Sequence, residues 1–221
     1  MKGTEGVRDG QCDVGTGTEN PVGARAVAAN VAGRDGENVT VHNVMLGGGF
    51  GRRIHVNFED GEVQLNDFVT PAVRLSMAVN APVKLVWSRE DDIQHDAYRP
   101  AIVSHFSGAV DATGSASAWR NVYNNKHDPA EASLIPYGIE NVDIRNVKTE
   151  AYVPFGPWRS VAHSHHAFFT ESFIDELAHA AGKDPMTFRI ALLDNAPRHK
   201  KVLEVLAEKA WSSPLPSDRA R

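Results

Sequence analysis

The chain has 221 residues, 42% hydrophobic and 23% charged, with a formal net charge of −5, enough for one large globular domain or two small ones. The acidic balance excludes a general nucleic-acid binder, which needs a basic face for phosphates. No apolar run approaches the roughly 18 residues of a membrane span.

Cys12 is the single cysteine. An intrachain disulfide is therefore impossible, and a four-cysteine iron–sulfur cluster cannot be housed within these residues. Cys12 reads as a small buried hydrophobe. The opening Met1-Lys2-Gly3-Thr4-Glu5-Gly6 has no apolar export core and no twin-arginine pair. Periplasmic and cytoplasmic locations both stay open.

Residues 1–8 are polar and Gly-rich and are expected to be a disordered tail. A short strand is predicted at 10–14, then a loop at 15–21. The Ala/Val-rich stretch 24–31 predicts a helix stopped by Gly33. Alternation over 39–46 predicts a strand. It runs into Gly47-Gly48-Gly49-Phe50-Gly51-Arg52-Arg53. Leu65, Phe68, Val69, Ala72 and Val73 recur at helical spacing, carrying a helix on to about residue 79. Residues 82–87 predict a short buried strand. Ser88 is the N-cap of an acidic helical turn.

Residues 101–110 and 117–123 flank Asp111-Ala112-Thr113-Gly114, a hairpin signal. A strand is expected over 142–153 and a loop over 154–160. Three helices follow. One covers 165–181, with Gly182 as its C′ residue. The second has Asp184 as N-cap and Pro185 at N1. The third carries the apolar stripe Val202, Leu203, Leu206, Ala207 and Ala210. The expected class is α+β, mixed sheets with packed helices, without the regular alternation of a doubly wound domain.

Two loops carry candidate chemistry. The glycines of 47–51 permit positive φ and close approach of a ligand to bare backbone. Successive N–H groups there can form an anion nest, and Arg52 and Arg53 add charge suited to phosphate. A tight glycine turn with two solvated arginines fits the same residues equally well. The dinucleotide fingerprint G-x-G-x-x-G is not met cleanly. In the second loop, Phe155-Gly156-Pro157-Trp158-Arg159-Ser160, an aromatic plane and a guanidinium stand on a rigid turn and could make a wall and an anion clamp. A Trp buried beneath the loop, with its Arg in water, is the plainer alternative.

His163, His165 and His166 invite a metal reading, and His163 and His166 could share a helix face. No carboxylate stands at the HExxH spacing. A protein-ligated metal site is therefore not expected. His95 and His199 read as surface residues.

Taken together, these stretches resemble the large subunit of xanthine-oxidase-type molybdenum hydroxylases. The loop 47–53, with its double arginine, is similar to the branch holding the isoquinoline 1-oxidoreductase large subunit and related aldehyde and nicotinate dehydrogenases. Three further stretches agree in order: 82–92 (Pro82 to Asp92), 156–161 (Gly156 to Val161) and 171–178 (Glu171 to Ala178), the last leading into Gly182-Lys183-Asp184-Pro185. The resemblance covers roughly residue 9 to the end.

It implies a molybdopterin cofactor carrying molybdenum, commonly as the cytosine dinucleotide, and hydroxylation of aldehydes or N-heterocycles with water as oxygen source. Electrons would leave through a small [2Fe–2S] partner subunit, with a cytochrome c as a candidate acceptor beyond it. Gly48, Gly49, Phe50, Gly51, Arg52, Trp158, Arg159 and Ser160 would bind the cofactor. Arg159 would act electrostatically beside the metal and substrate.

The same resemblance implies a partial molybdopterin-binding domain over 9–211, with a lobe 9–95 holding the Gly-rich loop and a lobe 96–211 holding the second. Residues 212–221 would be a truncated linker. The family's glutamate base lies downstream of this chain, so the isolated chain is expected to be inactive and to need the rest of the large subunit. Where relatives read V-W-A-P-T-Q, this chain has Val14-Gly15-Thr16-Gly17-Thr18-Glu19. Glu19 and Glu59 are the carboxylates nearest in sequence to the cofactor-loop elements. Glu59 reads as serving the start of the following helix. A non-catalytic remnant that folds or docks without cofactor is the competing hypothesis.

Overall fold

The computed structural model describes residues 2–8, 10–54, 68–124, 133–149 and 155–211. Glu59 and residues 212–221 lie outside these. The chain divides into two compact units: residues 1–100 with 151–161, and residues 101–150 with 162–221. From sequence, a division near residue 95 leaves the second loop in the later lobe. In the structure the segment 151–161 belongs to the unit of the first loop.

Unit 1 is built on a four-stranded sheet of order β3-β2-β1-β4, with β1 Lys2–Arg8, β2 Gln11–Thr16, β3 Val39–Asn43 and β4 Val83–Val86. The expected disordered tail at 1–8 is corrected here: β1 is an interior strand, antiparallel to both β2 and β4. Its polar, Gly-containing sequence shows no apolar alternation. Ladder hydrogen bonds on both sides hold it instead.

β2 alternates cleanly. Cys12, Val14 and Thr16 are buried, while Gln11 and Asp13 are exposed. It returns to β3, its parallel neighbour, through helix α1, Pro21–Ala32. Parallel strands need such a crossover. Asn20 caps α1 by accepting from the Gly23 N–H, Pro21 fills the first turn, and Gly33 ends the helix in the left-handed conformation. Helix α2, Val69–Val79, packs with α1 and β1. Between them lies the first core, including Cys12, Val14, Val27, Ala28, Val69 and Val73. Helix α3, Arg89–Gln94, opens with a complete capping box between Ser88 and Asp91.

Unit 2 holds a three-stranded sheet, with β5 Ser104–Val110 antiparallel to β6 Ala116–Asn124, and β7 Asn141–Val147 parallel to β6. The hairpin turn forms as expected, with the Asp111 carboxylate accepting from the Thr113 and Ser115 N–H groups. Helix α4, His163–Ala180, lays Phe173 against Phe106 and Trp119, with ring centroids 5.0 and 5.1 Å away. Such aromatic clusters add to plain area burial. Helices α5, Pro185–Ala191, and α6, Pro197–Leu206, complete the unit. The stripe on α6 is only partly used. Leu203 packs against the second core, whereas Val202 is 67% exposed.

Candidate functional site

The strand–loop junction after β3 is shaped by backbone geometry. Gly48, Phe50 and Gly51 all have positive φ, at 121°, 53° and 89°. At Gly51 the reason is spatial as well as conformational. A Cβ there would lie 2.5 Å from the Pro157 carbonyl oxygen and 2.8 Å from the Trp158 Cα. Only glycine lets the two loops meet backbone to backbone at this point. The turn closes through Arg52 N–H to the Gly49 carbonyl and Ile54 N–H to the Gly51 carbonyl.

The second loop is strapped onto residues 97–99. Tyr98 and Phe155 form a parallel β-bridge. The Gly156 N–H donates to the Tyr98 carbonyl, and Trp158 Nε1 donates to the Ala97 carbonyl at 3.1 Å. The Arg99 guanidinium lies 5.0 Å from the Trp158 ring centroid, a cation–π distance. Ser160 and Val161 both take left-handed φ, 64° and 48°. For a β-branched residue such as Val161 that conformation is a true outlier. Backbone strain thus stands directly beside Arg159.

Across the meeting point, the Arg159 guanidinium sits 5.7 Å from the centroid of the Phe50 ring. Phe50 is 59% exposed and Trp158 43%, so both rings present surface rather than fill the core. The structure therefore brings Gly48, Gly49, Phe50, Gly51, Trp158, Arg159 and Ser160 into two abutting loops of one unit. Among the described residues, Arg159 has no carboxylate partner.

The paired arginines behave differently. Arg52 Nε lies 2.5 Å from Asp96 Oδ1, and Arg52 Nη2 lies 3.6 Å from Asp92 Oδ1. Its charge is balanced by carboxylates in and just after α3. Arg53 stacks its guanidinium 4.2 Å over the Phe68 ring. Burial, aided by neighbouring Arg52, pulls the Arg53 pKa below its ordinary value. Both arginines thus anchor the loop, whereas Arg159 is exposed and meets no carboxylate among the described residues.

Glu19 completes the first loop. Its N–H donates to the Arg53 carbonyl at 2.9 Å, and the neighbouring Thr18 hydroxyl donates to the same oxygen. Its carboxylate accepts from the Gly51 N–H at 3.2 Å. Sequence reading placed Glu19 near the loop in chain order but gave no sign of this contact. It also missed residues 97–99 and Asp96. The acidic pair Asp92 and Asp96, four residues apart across the end of α3, was the available signal.

His163, His165 and His166 open α4 in unit 2, where buried His166 meets the Tyr123 ring edge-on at 4.6 Å. Among the described residues, no group of three His, Cys, Asp or Glu side chains is placed to hold a metal ion. No helix among them is long and apolar enough to cross a membrane.

The model of the family described as "Molybdopterin cofactor-binding domain" matches residues 6–192. The chain belongs to this family. It is similar to the isoquinoline 1-oxidoreductase subunit beta of Brevundimonas diminuta, 27% identical over 220 residues, covering 90% of this chain and 27% of that one. It is also similar to a protein of Gluconacetobacter polyoxogenes named membrane-bound aldehyde dehydrogenase [pyrroloquinoline-quinone]. The two are 30% identical over 187 residues, covering 73% of this chain and 23% of the relative. The chain thus spans about a quarter of the length of these relatives. In fold it matches the crystal structure of quinoline 2-oxidoreductase from Pseudomonas putida 86 with a TM-score of 0.76 at 17% identity. That match covers 94% of this chain and 29% of the other. The α+β class, with mixed sheets and packed helices, is the molybdopterin-binding arrangement expected from sequence.

Proposed function

We propose that unit 1 carries the part of a molybdopterin-dependent oxidoreductase that seats the oxyanionic, metal-bearing end of the cofactor. The observation that carries this reading is the seating of Gly51 on Pro157 and Trp158. It joins loops about a hundred residues apart and sets Phe50 beside Arg159. The donor set fits an anion. Among the described residues, no acceptor meets the N–H groups of Gly48, Gly49 and Phe50. Such amides, fixed by positive-φ glycines, make an anion cradle.

In this reading the Gly48–Gly51 amides bind oxyanion groups, Phe50 and Trp158 wall the seat, and Ser160 holds the turn. Arg159 supplies positive charge toward developing negative charge on a substrate. A guanidinium stabilises charge but does not serve as a proton acceptor. The bound cofactor would supply the two-electron redox chemistry and the activated oxygen. The aldehyde and N-heterocycle names of the relatives fit an electron-poor carbon as the position attacked. We further propose the cytosine dinucleotide form of the cofactor, a [2Fe–2S] partner subunit for electron exit, and a proton-accepting glutamate supplied from outside this chain.

The name of the aldehyde dehydrogenase relative carries a quinone, so metal analysis discriminates between the two cofactors. Residues 1–221 are produced in a host that makes the molybdenum cofactor, and bound metal and acid-released nucleotide are measured. The expected outcome is molybdenum with cytidine monophosphate, reduced several-fold by Arg159→Ala. Absence of molybdenum from the folded wild-type chain would contradict the reading and favour a non-catalytic remnant.

A further inference from the structure

We propose that the Glu19 carboxylate is an internal occupant of the Gly-rich loop, so that an oxyanionic ligand reaches the Gly51 N–H only by displacing it. The inference rests on the oxyanion-seat reading above and adds a positioning residue to it.

Three observations carry it. The Glu19 carboxylate accepts from the Gly51 N–H at 3.2 Å, taking one of the donors an incoming anion would use. It also covers the loop sterically, since a Cβ at Gly49 would run into it. Its backbone is pinned. The Glu19 N–H and the Thr18 hydroxyl both donate to the Arg53 carbonyl, and Thr18 N–H is held by the Asn43 side chain. The side chain is therefore aimed at the loop by its surroundings rather than drifting across it.

The chemistry follows from charge. An acceptor on an amide donor is replaced readily by a better acceptor. A carboxylate, however, repels an incoming anion as well as competing for the N–H. Arg52, next to Gly51 in the chain, does not offset this, because Asp92 and Asp96 already pair with it. Glu19 thus orders the glycine loop in the empty chain and weakens anion binding to it. A neutral carboxamide of the same shape would keep the acceptor for Gly51 and remove the repulsion.

The test uses the full chain and sodium molybdate as probe, with binding read from the amide resonances of Gly49 and Gly51. Glu19→Gln should bind molybdate about tenfold more tightly than wild type, the factor expected for removing one nearby charge at a partly screened site. Glu19→Ala should move in the same direction, with the Gly51 amide exchanging faster in the absence of anion. Equal affinity in wild type and Glu19→Gln, with the loop resonances shifting in both, would overturn the role of Glu19 and leave the oxyanion seat standing. No shift of the loop resonances in any variant would remove the seat and this inference together.

Discussion

Gly51 is the residue on which the two loops depend, for two independent reasons. Its φ of 89° is costly for any residue with a side chain. Its Cα also faces the Pro157 carbonyl with no room for a methyl group. We expect Gly51→Ala to destabilise the chain by about 1–3 kcal/mol, the range for a forced backbone outlier. The check is urea denaturation followed by the fluorescence of the tryptophans. A change below about 0.5 kcal/mol, typical of an ordinary surface site, would show that the loops do not bear on one another.

The need for glycine at 47–51 was legible in the sequence, but the second loop as the cause was not. Nothing local to Gly51 announces a neighbour at Pro157. Arg52 and Arg53 show the converse. Their type suggested phosphate, yet one is held by Asp92 and Asp96 and the other by the Phe68 ring. Those partners lie 15 to 44 residues away in sequence, beyond the reach of a local reading.

At the scale of elements, the helix ends were the most readable features, because caps are local chemistry. Ser88, Gly33, Gly182 and the Asp184-Pro185 pair all act where their types place them. β1 was unreadable for the opposite reason. It has no alternating apolar face, and its stability comes from main-chain pairing to two neighbours that are known only once the sheet is built.

Asp184 offers a quantitative check. Its carboxylate accepts from the Thr187 N–H at 2.9 Å and from Trp211 Nε1 at 3.1 Å. The Thr187 backbone bond, ahead of the Trp211 and Thr187 side-chain bonds, holds its pKa below the ordinary value. A carboxyl lowered on folding contributes stability above its unfolded pKa, near 4. That contribution fades as pH falls through the lower folded value. Asp184→Ala should therefore cost about 1 kcal/mol at pH 7, as for other N-caps, and clearly less at pH 3. A penalty that grows on acidification would refute the cap.

For the molecule as a whole, chain order and spatial order part company at residues 151–161. This segment leaves the sequence neighbourhood of unit 2 and folds with unit 1, held through Tyr98 and Ala97. Sequence alone put the two loops in successive lobes, although it named the residues of both. The fold class and the family were legible from motif order. The grouping of the loops required the bridge between Tyr98 and Phe155, which no pattern in either stretch encodes.

The proposed function requires the loops at 47–54 and 155–161 to form one cofactor-binding surface. Amide hydrogen exchange of peptides covering both, with and without bound molybdenum cofactor, tests it most directly. Both segments are expected to gain protection together on binding, and Gly51→Ala to remove the gain from both. Protection confined to one loop, or unchanged by that substitution, would contradict it.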